Sequence, residues 1–194
     1  MRLTLAKVCI FILLPIIIFT KDIYKESSLI DLMFENIAYA LLFVAAVGRI
    51  WTAAWISGNK GKRLVVDGPY ALVRHPLYLF SAIGFVGAGL AFESLMLAAA
   101  FLAVFLVSHY PTMIREEQFL IQNFGIEAQD YLSQRNRLWP RFHFPMGAEE
   151  GQVNLRIYSR AVLDALLIGL IFLAAHTLEW LHLKGLIPVL FYLY

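Results

Sequence analysis

A single cysteine, Cys9, in a chain of 194 residues excludes an intrachain disulfide, and its apolar surroundings fit a small buried hydrophobe. Charge is also scarce: 15% of the residues are Asp, Glu, Lys or Arg, against roughly 25% in an ordinary soluble domain. A net charge of +2 with no dense basic run argues against a nucleic-acid surface. No G-x-G-x-x-G follows a strand, because Gly84, Gly87 and Gly89 fall inside an apolar run. His109, His143, His176 and His182 have no paired ligand spacing, so they read as interfacial or bundle histidines and no metal is expected.

What the chain has in abundance is apolar length: 60% of its residues are hydrophobic. Leu3 to Thr20, interrupted only by Lys7, would make a helix of about 27 Å, close to the ~30 Å of a bilayer core. No small-x-small cleavage site follows it, so a retained first helix is expected rather than a signal peptide. Leu29 to Ser57 forms a second stretch with Arg49 deep inside, and an intramembrane arginine needs a partner or a snorkelling route. Leu77 to Phe92 and Ser94 to Ile114, separated by Glu93 alone, read as a helical hairpin with small residues at its interface. A fifth span runs from about Ala161 to Leu183, and the tail from Gly185 to Tyr194 is too short to cross alone. The expected fold is an all-α integral membrane bundle of about five transmembrane helices in one domain, residues 1–194.

Two polar connections remain, Gly58 to Pro76 and Arg115 to Arg160. Of the 16 lysines and arginines, Arg49 lies within a span. With the N-terminus inside, only Lys21, Lys25 and Lys184 among the others fall outside. This asymmetry predicts a multi-pass protein whose N-terminus and both polar connections face the cytoplasm.

The first connection ends in Gly68-Pro69-Tyr70-Ala71-Leu72-Val73-Arg74-His75-Pro76-Leu77-Tyr78. Pro76 suits the first turn of the helix that follows, where a missing N–H costs nothing. Arg74 and His75 then stand beside free backbone N–H groups at the positive end of a helix, a setting for a carboxylate or phosphate as well as for an ordinary lipid-phosphate anchor. The second connection opens with Arg115-Glu116-Glu117, is helical to about Asn123, and should break at Gly125.

The blocks G-P-Y-x-x-x-R-H-P-x-Y, from Gly68 to Tyr78, and E-E-x-x-L-x-x-x-F-G, from Glu116 to Gly125, followed by Tyr131 and Pro140, resemble the isoprenylcysteine carboxyl methyltransferases and their relatives, the membrane phospholipid N-methyltransferases. The resemblance covers roughly residues 30–145. It implies a pocket for S-adenosyl-L-methionine, with S-adenosylhomocysteine as product, made by Leu64, Val65, Tyr70, His75, Pro76, Leu77, Tyr78 and Glu116. It also implies a lipophilic acceptor, a prenylated or other lipid-like carboxylate. The candidate catalytic residues are Arg115, to meet that carboxylate, and Glu117, which like His75 is a candidate base if the acceptor is an amine. Arg137, Arg141 and Tyr131 are the candidate substrate contacts. Three positions depart from the family pattern: Ala128 replaces a common Tyr, Phe80 a common Gly, and Thr112 an arginine one turn before the glutamate pair. Membrane sterol reductases carry a similar R-H-P-x-Y block, which makes an NADPH-dependent reductase the second reading. A non-catalytic scaffold gives no reason for both blocks to meet.

Overall fold

The computed structural model describes residues 14–22, 28–59, 61–141 and 153–193. Arg2, Lys7, Cys9, Lys25, Lys60, His143 and most of the first expected span lie outside the described residues.

Helices α1 (Leu29–Ile56), α4 (Leu95–Gln134) and α5 (Leu155–Leu183) are each long and apolar enough to cross a membrane. Each starts at a polar cap that satisfies an otherwise orphaned N–H. Ser28 Oγ accepts from Asp31 N at 3.2 Å, Ser94 Oγ from Leu97 N at 3.2 Å, and Asn154 Oδ1 from Ile157 N at 3.2 Å. Between them lie the single turn α2 (Pro69–Leu72) and the apolar helix α3 (Pro76–Leu90). At 15 residues, α3 is about 22 Å long and falls short of a full bilayer core. It stops at Leu90, before the expected Phe92, because residues 91–93 turn with Glu93 in the left-handed region at φ 51°. Among the described residues three helices are long enough to span; of the other two expected spans, the first lies mostly outside the described residues and the third is the shorter helix α3.

The helix expected from Glu116 is not separate, since the fourth span continues through it without a break as far as Gly125. There the backbone leaves helical geometry (φ 56°, ψ −126°), a conformation open to glycine, so the expected end is a kink. The apolar tail supplies a strand, β2 (Phe191–Leu193), which pairs in parallel with β1 (Thr20–Asp22) in the register Thr20 to Phe191.

The chain divides into two compact units. The first comprises Met1–Val44, Ala82–Ser108 and Leu167–Tyr194. Its core packs Ala38, Leu90 and Ala98 with Phe34, Leu41, Val86 and Ala91 around them. A side chain at Gly89 would run into the Ala98 backbone, so this glycine allows the hairpin of α3 and α4 to close. The second unit comprises Ala45–Ser81 and His109–Leu166, and holds both motif blocks.

Candidate active site

The approach to α3 is built by residues that leave the backbone little choice. Gly68 has φ 58°, and the Trp55 ring occupies the space a β-carbon would need, so only glycine fits. Pro69 then starts α2 with its φ already helical. The segment after α4 returns to fasten this turn. Arg74 N donates to Asn136 O at 2.8 Å, His75 N to Arg137 O at 3.2 Å, and Arg141 N to Leu72 O at 3.1 Å. The buried Tyr131 hydroxyl lies 2.9 Å from Tyr70 O and 3.3 Å from Val73 O, and so bridges the two carbonyls.

Adjacent glutamates on α4 take different tasks, because successive helical residues point about 100° apart. Glu117 is buried and is the hub of an ion-pair network. Arg137 grips it through two N–H groups, each at 2.9 Å, while Arg74 and His75 Nε2 each reach Oε1 at 3.2 Å. Glu116 is half-exposed, accepts the Tyr78 hydroxyl at 2.9 Å, and stands 3.7 Å from His75 Nδ1. Burial holds the His75 imidazole below its ordinary pKa, against the opposing pull of Glu117 and Glu116. The neutral ring then donates from Nε2 to Glu117, leaving the Nδ1 lone pair on the Glu116 side. Burial likewise pushes the Tyr70 phenol well above its usual range. Edge-on ring contacts from His75 to Tyr78 (5.6 Å) and from Tyr78 to His109 (5.7 Å) hold this wall in place.

Beside this wall lies a cavity of about 440 Å³, within the roughly 300–1,000 Å³ of small-molecule sites. Leu64, Val65 and Tyr70, the turn from His75 to Tyr78, and Glu116 all line it. The donor set suits S-adenosylmethionine. The first backbone N–H groups of α3 suit its carboxylate, Glu116 suits an amine or hydroxyl, and Leu64, Val65 and Tyr70 suit an adenine face.

Of the other sequence candidates, only Tyr131 touches the cavity. Glu117 and Arg137 are engaged with each other, and Arg137 also meets the Tyr110 hydroxyl at 3.0 Å and lies over that ring. Arg141 turns to Gln134 O at 3.0 Å, and Arg115 is exposed; neither lines the cavity. The cavity's cations are Arg49, Arg63, Arg74 and Arg160, with Asp164 among them. Arg160 and Asp164 stand on α5, far along the sequence from both motif blocks, and no local pattern singled them out. Arg49 carried a signal, an arginine inside a span, but no address. Its guanidinium donates to Ser81 Oγ, while its Nε is buried without a hydrogen-bond partner.

Comparison with known proteins shows the family of the chain. The phospholipid methyltransferase family matches residues 31–127, half of the chain. The nickel-cobalt-cadmium resistance protein NccN of Alcaligenes xylosoxydans xylosoxydans is 34% identical over 152 residues, covering 75% of this chain and 70% of that protein. The cobalt-zinc-cadmium resistance protein CzcN of Cupriavidus metallidurans is 37% identical over 123 residues, covering 63% of this chain and 56% of that protein. No solved structure matches. The chain belongs to the phospholipid methyltransferase family, and membership implies a membrane methyltransferase.

Proposed function

We propose that the protein transfers a methyl group from S-adenosylmethionine to a lipophilic acceptor bearing a carboxylate, of isoprenylcysteine type, at the cytoplasmic membrane face. The observation that carries this reading is the single cavity in which the eight cofactor candidates meet, with Tyr78 fixing Glu116 at 2.9 Å.

S-adenosylmethionine supplies a methyl carbon on a positively charged sulfur. The acceptor carboxylate is ionised at neutral pH, so no proton moves: its oxygen bonds to the methyl carbon as the carbon–sulfur bond breaks, giving an ester and S-adenosylhomocysteine. The work left to the residues is alignment and exclusion of water. Glu116 and the α3 N-terminus hold the cofactor side. Arg49 and Arg160, which also line the cavity, take the acceptor anion, and Ile56, Phe119, Phe124 and Ile157 supply apolar lining for its tail. This assigns to Arg49 and Arg160 the acceptor contact first sought at Arg115, Arg137 and Arg141. With Glu117 occupied by two arginines and His75, the site offers it no free role as a base. A carboxylate acceptor needs no base and is unaffected by this, whereas an amine, the substrate of phospholipid N-methylation, would have to rely on His75 alone.

Calorimetric titration of the detergent-purified chain with S-adenosylhomocysteine, with NADPH in parallel, tests the proposal. Saturable binding of the former, weakened at least about tenfold by Glu116→Ala, is expected from loss of a charged hydrogen-bond acceptor. Binding of NADPH alone would replace it with the reductase reading.

A further inference from the structure

A second group of chemistry-bearing side chains lies in the first unit and has no part in methyl transfer. Near the start of α1 stands Glu35, and near the end of α5 stand His176 and Glu179, one helical turn apart on one face. One ligand atom from each of the three lies within 4.8 Å of the others. The packing that brings them together is specific. Tyr39, one turn after Glu35, meets Phe172, one turn before His176, edge-on at 5.7 Å.

The distances within the group are informative. His176 Nδ1 is 3.5 Å from Glu35 Oε1 and 3.4 Å from Glu179 Oε2. Both separations exceed the ~2.7–3.2 Å of an N–H···O hydrogen bond. They match the edge of about 3.4 Å between neighbouring donors in a tetrahedron with bonds of about 2.0–2.1 Å. Moreover, both carboxylates face the same imidazole nitrogen. A single N–H cannot point along two directions, whereas a lone pair and two carboxylates can converge on one cation between them.

We infer that Glu35, His176 and Glu179 form a binding site for a divalent transition-metal ion. One imidazole and two carboxylates leave a coordination position for water, and the nitrogen donor favours zinc, cobalt or nickel over magnesium and calcium. Glu35 also belongs to a second convergent group, with Asp31 and Glu93, whose negative charge deepens the attraction for a dication. The His176 side chain is 63% exposed, which gives an ion access from outside the bundle. The site does not depend on the methyltransferase reading, since none of its residues lines the cavity.

The test is titration of the full detergent-solubilised chain with Co²⁺, read by visible absorption and calorimetry, with Mg²⁺ as competitor. Saturable one-to-one binding with the intense absorption of tetrahedral cobalt is expected, undisturbed by excess Mg²⁺. His176→Ala and the isosteric Glu35→Gln should each weaken it at least about tenfold, with elution and S-adenosylhomocysteine affinity unchanged to show that the bundle is intact. Wild-type Co²⁺ affinity in either variant, or displacement by equimolar Mg²⁺, would overturn the site.

Discussion

The two units handle ionisable groups on apolar helices in opposite ways. In the first unit, carboxylates gather in two groups that share Glu35: Glu35 and Glu179 with His176, and Glu35 with Asp31 and Glu93. In the second, four arginines border one cavity together with Glu116 and Asp164, while the buried Glu117 is already paired with Arg74 and Arg137. A charge carried on an apolar helix is costly unless paired, and such residues tend to mark functional sites. The contrast teaches which sign of ligand each region is built to accept: a cation in the first, an anion in the second. Both signs are carried on the same two helices, since α1 bears Glu35 and then Arg49, and α5 bears Arg160 and then His176.

The largest effect should come from destroying the charge balance of the second unit. Glu117→Ala removes the carboxylate that holds Arg74, His75 and Arg137, and should cost about 3 kcal/mol of stability, seen as a lower thermal midpoint in detergent. Next in size, the independence of the two regions can be tested by exchange. Arg49→Gln should raise KM for a farnesylcysteine probe at least about tenfold, from the loss of a charged contact, with Co²⁺ affinity unchanged. A fall in Co²⁺ affinity in that variant would mean that the regions are coupled. Tyr131→Phe, which frees the Tyr70 and Val73 carbonyls, should destabilise by about 1–2 kcal/mol on the same thermal assay.

A smaller effect should follow pH. The folded His75 has its pKa below the ordinary 6.5, so only well above pH 6.5 is the ring neutral in both folded and unfolded chains and without effect on the pH dependence. As the pH falls below about 6.5 the unfolded chain takes up the proton first, and stability falls with it until the folded value is passed. His75→Gln should flatten this part of the thermal midpoint profile. Smallest of all, Arg115→Ala, at an exposed position away from the cavity, should stay within about 0.5 kcal/mol of the parent.

The parts legible in the sequence were those set by local chemistry. Apolar length identified α1, α4 and α5, and Gly125 marked the break in α4. The R-H-P turn and the glutamate pair together named the residues that share the cavity. The resemblance placed Glu116 in the pocket, and Glu116 lines the cavity. The place of Glu117 was less accessible, because only the rotation of α4 against the turn seals it under Arg137 and Arg74 instead of leaving it free as a base. His176 shows the same limit: no histidine has a second at ligand spacing, and its partner Glu35 comes from another helix.

By itself, then, the sequence determined a membrane chain with two chemical blocks, because bilayer crossing and helix capping depend on residues a few positions apart. Only the tertiary structure decided that Arg49 and Arg160 border the same cavity as His75, and that Glu35 meets His176. Those encounters join segments remote in the chain, and the packing of one helix face on another, rather than any local pattern, brings them together.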